Sequence, residues 1–184
     1  MGGLTLVTPA ASYPVTLTEA KANCRVIGTD EDTFLNGLIA SATAYVEAYT
    51  GCSIEAQTWD YTIDAFADEI ELPRGPLISV DSITYLDTAN DAQTLATGWL
   101  EDLPGERVLR DPDASWPAIS TRKNAVTIQF TSGYDTVPAS IKQAILLLIG
   151  DWFRNRENTI LGQTTSEPPH AVTALLTNHR RYGF

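Results

Sequence analysis

The hydrophobic positions of the chain change period twice, from helical spacing to strict alternation and back. In the first stretch Leu17, Ala20, Cys24 and Ile27 form a helical stripe that Gly28 ends. Thr16 and Glu19 stand at capping-box spacing, each side chain placed to satisfy the other residue's backbone N–H. A helix is therefore predicted over residues 16–28. A second is predicted over 31–50, with Phe34, Leu35, Leu38, Ile39, Ala42, Tyr45, Val46 and Tyr49 on one face and Gly51 as its stop. Asp30, Glu31 and Asp32 crowd the start of that helix. Capping and compensation of the helix dipole account for them more simply than a metal site does.

From residue 57 the period falls to two. Trp59, Tyr61 and Ile63 alternate with Thr58, Asp60, Thr62 and Asp64, as in a half-exposed strand. Ile70 and Leu72 continue the style up to a Pro73-Arg74-Gly75-Pro76 turn. Ile78 and Val80 share one parity, but Ile83 and Tyr85 take the other, which predicts a bulge near Asp81-Ser82. Residues 87–94 carry turn chemistry, and 99–110 read as one or two short strands. The expectation is a small antiparallel β insertion over about 57–131, and a further short strand over 4–7 near the start.

Val126, Ile128 and Phe130 close the alternating region, and Gly133 breaks it. A helix over 138–158 is then predicted, opened by Pro138, which a first helical turn tolerates. Ile141, Ile145, Leu148, Ile149 and Trp152 define its face, and Leu146, Leu147 and Phe153 widen it until most of the circumference is apolar. Such a helix is buried on several sides. Its apolar run falls well short of the roughly twenty residues that span a bilayer. Residues 162–169 have the composition of a linker. Beyond it Val172, Leu175, Leu176 and His179 share one face of a short amphipathic helix, with Arg180 and Arg181 near its end. That helix suits docking on its own domain or on a partner's groove equally well. The fold class is thus α+β, mainly a bundle of about four helices with a β insertion and a tethered C-terminal helix. Residues 1–161 form one domain, and 162–184 a linker with a docking helix.

Charge narrows the function. The net charge of −11 opposes general nucleic-acid binding, which needs clustered Lys and Arg. Residues 1–73 hold eleven acids and two bases, whereas residues 140–184 hold five bases and three acids, either a docking polarity or a solvated surface. Cys24 and Cys52 make neither a disulfide framework nor a zinc ribbon. No secretory signal is legible, and a reduced cytosolic chain is expected. His170 and His179 have no cysteine or carboxylate at zinc-like spacing, and no phosphate-binding, dinucleotide or nucleophile-elbow motif occurs. Trp59, Trp99 and Trp116 suggest core or loop anchoring, with a carbohydrate platform as the alternative. The expectation is a scaffold without catalytic residues, cofactor or metal. A carbohydrate-binding or other accessory module and a carboxylate-dependent hydrolase are the competing readings.

The order PVTLTEAKANCRV, DEDTFLNGLIASATAYVEAYTG, LPRGPLISVDSITYLD, WP, AVTIQFTSGYDTVPASIKQAILLLIGDWFRNRE resembles one family over about residues 13–158. It is similar to the head–tail connector (adaptor, or head-completion) proteins of long-tailed double-stranded-DNA phages and gene transfer agents. The resemblance implies a virion neck protein, assembled in the host cytoplasm into a ring of usually twelve copies beneath the portal. The ring would extend the DNA channel and present a surface to the stopper or tail proteins, with no sequence-specific DNA binding and no membrane. It further implies a portal-docking tail, here Val172, Leu175, Leu176, His179, Arg180, Arg181, Tyr182 and Phe184. Asp30, Glu31 and Asp32 would be candidate channel-facing acids.

Overall fold

The computed structural model describes residues 2–155 and 170–181. Two compact units divide them: residues 2–11 and 55–135 form a β unit, and 12–54, 136–155 and 170–181 a helical unit.

The helical unit contains α1 (Leu17–Cys24), α2 (Asp32–Thr50), α3 (Ala139–Arg154) and α4 (His170–Leu176), the last followed by a 3-10 turn over Thr177–His179. α1 begins with the reciprocal capping box: the Glu19 N–H donates to Thr16 Oγ1 at 3.2 Å, and the Thr16 N–H donates to Glu19 Oε2 at 2.7 Å. It stops at Cys24 because Arg25 turns left-handed, with the Arg25 and Val26 N–H groups bonded back to Ala22 and Lys21. The helical stripe therefore ends before Ile27, which is 98% exposed. Gly51 closes α2 in the left-handed region (φ 73°), donating to the Glu47 carbonyl. α2 buries Leu35, Ile39, Ala42 and Val46. α3 meets them with Ile141, Ile145, Leu148 and Ile149, each no more than 1% exposed. α1, α2 and α4 all pack on α3, which is what its broad apolar surface requires.

The β unit contains eight antiparallel strands. One sheet has the order β1-β2-β8-β4-β5: β1 (Gly3–Thr8), β2 (Gln57–Ile63), β8 (Val126–Ser132), β4 (Leu77–Leu86) and β5 (Ala92–Thr94). The other has the order β3-β7-β6: β3 (Glu69–Glu71), β7 (Arg107–Arg110) and β6 (Trp99–Asp102). Ile70, Leu72 and Val108 share one core with Trp59, Val80, Ile83, Val126, Ile128 and Phe130. The parity change along β4 is a bulge between Val80 and Ser82, with another between Leu77 and Ser79.

Among the described residues the class is α+β with four helices, but it is not mainly a helical bundle: the helical and strand shares are nearly equal, 32% and 29%. Short strands escaped the sequence pattern because two or three alternating residues cannot be told from a turn. Part of the 87–94 turn is β5, and β3 leaves the sheet of β2 for the opposite one. β1 pairs with β2, so the β unit also includes the start of the chain. No described helix is long and apolar enough to cross a membrane.

The apolar face of the five-stranded sheet runs in rows. Directly opposed residues share a face, which places Leu6, Trp59, Phe130 and Val80 in one row and Leu4, Tyr61, Ile128 and Ile83 in the next. Exposure rises along each row toward β1. Phe130 and Ile128 are wholly buried, but Leu6 is 44% and Leu4 36% exposed.

Candidate assembly surfaces

The C-terminal segment lies on its own helical unit. Val172 and Leu176 are 1% and 0% exposed, and α4 packs chiefly on α3. The 3-10 turn is pinned by polar contacts: His179 Nε2 and Ser140 Oγ lie 2.8 Å apart, and Cys52 Sγ donates to the His179 carbonyl at 3.4 Å. The Arg181 N–H donates to the Thr50 carbonyl at 2.8 Å, and the Arg180 guanidinium sits 5.2 Å from the Tyr49 ring centroid. Of the tail residues named from sequence, Val172 and Leu176 serve the internal core. Leu175, His179 and Arg181 are half-buried, and Arg180 is exposed. Tyr182, Phe184 and the 162–169 linker lie outside the described residues. Thr50, Cys52 and Ser140, which hold the tail, carry no signal in the sequence, because each is an ordinary helix-terminal or loop residue brought to the tail by the fold.

The three acids at the start of α2 do not act alike. Asp32 Oδ1 accepts a 2.6 Å ion pair from Lys21 Nζ, which also donates to the Gly28 carbonyl. This ties α1 to α2 across the intervening turn. Asp30 is exposed, and Glu31 and Asp32 are half-buried. The larger electrostatic feature is the division between units. The sequence of the β unit (1–11 and 55–135) holds fifteen acids and five bases, against eight and seven in the rest of the chain. The acidity therefore follows the fold and not the halves of the sequence.

The tryptophans of the β unit are structural. Trp59 is 9% exposed within the core, and Trp99 and Trp116 pack against it. The Trp99 indole donates to the Leu95 carbonyl at 3.3 Å, and the Trp116 indole to the Ala67 carbonyl at 3.0 Å. Trp116 also stacks on Phe66 with centroids 4.4 Å apart, which fixes the loop before β8. Each indole is thus engaged in core packing or in holding a loop. Burial pushes the Cys24 thiol above its ordinary range, although Arg154 pulls it down, so Cys24 is a protonated thiol at neutral pH. It lines a cleft of about 380 Å³ with Asn23, Arg25, Gly150, Phe153 and Arg154, a set without carboxylate or histidine. The displaced carboxyls, Glu19, Asp64 and Asp87, all go down. Hydrogen bonds are the cause: Thr16 for Glu19, Asn124 and Lys123 for Asp64, Gln93 and the turn amides for Asp87. A general acid needs the opposite shift. Among the described residues no group of His, Cys, Asp and Glu could hold a metal ion.

The features that stand out among the described residues are surfaces and strand edges. The chain belongs to the head completion protein family, whose model matches residues 15–182. Its role is structural, in completing the virion head. No curated protein matches it. Among solved structures, a chain from the neck of an empty gene transfer agent particle, computed with C6 symmetry, is 23% identical, with 99% of this chain and 97% of that one covered and a TM-score of 0.79. A chain from the virion of a native gene transfer agent particle is 23% identical (98% and 96% covered, TM-score 0.77). One from the neck of a native particle, computed with C12 symmetry, is 20% identical (99% and 97% covered, TM-score 0.76). These likenesses establish the shared fold over both units.

Proposed function

We propose that this chain is a non-enzymatic head–tail connector that forms a cyclic ring, of twelve copies, between the portal and the stopper or tail proteins. The observation that carries this reading is the family match over almost the whole chain. The neck origin of the similar folds, one of them computed with C12 symmetry, supports it. Identical subunits around one axis use a heterologous contact, one patch meeting a different patch on the next copy.

In this reading the helical unit faces the portal and docks through what the tail leaves uncovered, chiefly Arg180 with the exposed sides of Leu175, His179 and Arg181. DNA passes through the channel without being held. The acidic β unit suits that better than Asp30, Glu31 and Asp32 alone, because carboxylates repel the phosphate backbone and give it no counterion to release. Co-expression with the portal protein of the same genome, followed by imaging of what co-purifies, tests the proposal. A ring stacked on the portal is expected. A chain that neither joins the portal nor oligomerises in its presence refutes it.

A further inference from the structure

The five-stranded sheet has two open edges with different protection. β5 is only three residues long and follows Asp91, the usual devices of a guarded edge. β1 is six residues long and exposed throughout, and it has neither charge nor proline within it and one bulge, near Val7. It lies in an uncharged run: the first eighteen residues carry no charged side chain, although the β unit as a whole holds fifteen acids and five bases. Leu4 and Leu6 prolong the buried rows of the sheet into solvent. An apolar, unguarded edge of this kind is an association site.

The opposite side of the sheet offers a complementary stretch. β5 pairs only with Thr84–Leu86 of β4, so the outer edge of residues 77–82 has no partner strand among the described residues. That stretch is also six residues long; it carries the two bulges of β4 and exposes Ile78 (40%). Its single charge, Asp81, accepts hydrogen bonds from Ser79 Oγ at 2.7 Å and Thr131 Oγ1 at 2.8 Å. Strand direction fits as well. Every pairing in the order β1-β2-β8-β4 is antiparallel, so β4 runs opposite to β1. A second copy repeated along the sheet brings its β1 alongside β4 of the first in antiparallel sense. The same contact then repeats from copy to copy.

We infer that β1 of one subunit adds to the outer edge of β4 residues 77–82 in the next, so that the large sheet continues from subunit to subunit. The inference rests on the ring reading and names its interface. β1 lies ahead of the family match, which begins at residue 15, so family membership does not itself supply this contact. Electrostatics selects the occupant. Two units this acidic repel one another over most of their surface. They approach at least cost where the edges carry least charge: β1 has none, and residues 77–82 have only Asp81, whose carboxylate is held by two hydroxyl donors.

The test uses two full-length variants, each guarding one edge with lysine at exposed positions: L4K/L6K and I78K. Sedimentation and negative-stain imaging read assembly, with circular dichroism and thermal melting as folding controls. The wild-type chain is expected to assemble with rising concentration, and each variant alone to remain monomeric with an unchanged melt. Mixed together, the two variants are expected to form a one-to-one dimer that grows no further. In that dimer β1 of the I78K chain meets the intact β4 edge of the L4K/L6K chain. Rings that persist in both variants overturn the interface and leave the ring reading standing. Self-pairing of I78K alone, with no mixed dimer, shows β1–β1 pairing and also overturns it. A wild-type chain that stays monomeric at its solubility limit and beside the portal overturns both readings.

Discussion

Removing the Leu176 side chain separates a tail that is part of the core from one that merely rests on it. Leu176 is wholly buried on α4, and Val172, one turn earlier, is 1% exposed. Truncating a buried leucine to alanine loses its transfer free energy and leaves a cavity, together about 2–5 kcal/mol. The stability of a whole domain is about 5–15 kcal/mol, so L176A removes a large part of it. With a urea slope of about 2 kcal/mol per molar, the unfolding midpoint of the helical unit falls by roughly 1–2.5 M. Helical circular dichroism and the fluorescence of Trp152, the one tryptophan of the helical unit, follow that unit in urea. An exposed control, A174G, tests helix propensity alone and costs about 1 kcal/mol or less. Removal of residues 170–184 is expected to lower the midpoint at least as far as L176A, because it also takes away Val172 and the pins at Thr50, Cys52 and Ser140. The truncated body is thus expected to be destabilised, so loss of portal binding on truncation must be judged against its folding. A midpoint for L176A equal to that of the intact chain would refute the claim that the tail belongs to the core.

Three further outcomes are expected. T16A removes the Thr16 hydroxyl half of the capping box, leaving the Thr16 N–H to Glu19 bond, and lowers the stability of the helical unit by about 1 kcal/mol, measured by thermal melting. Glu19, Asp64 and Asp87 have carboxyls held below their ordinary range, so their contribution is present above the unfolded-state pKa and is lost as pH falls through the lower folded-state values. Melting temperature should therefore decline into the acid range, and E19Q should flatten part of that decline; a parallel curve for E19Q would contradict this account of Glu19. G133A is expected to destabilise the β unit by about 1–3 kcal/mol or more. A Cβ there would stand 2.6 Å from the Glu55 carbonyl carbon and oxygen, at φ 151°, and backbone cannot step aside. Urea unfolding read by the β-unit tryptophans checks it.

What the sequence determined was local. The Thr16–Glu19 box, the Gly51 stop, the apolar breadth of α3 and the bulge after Val80 depend on residues within a few positions of one another, where spacing maps directly onto geometry. The family was legible for a related reason, since it lies in the order of such local segments along the chain. The tertiary structure decided what faces what. Leu4 and Leu6 become the uncovered end of a buried row only because β1 pairs with β2, more than fifty positions away. The tail becomes core because Thr50, Cys52 and Ser140 meet residues 179–181, and the acids collect in one unit because the chain leaves the helices and returns to them. Pairings between distant segments are chosen by the total burial they achieve, and no short window of sequence contains that sum.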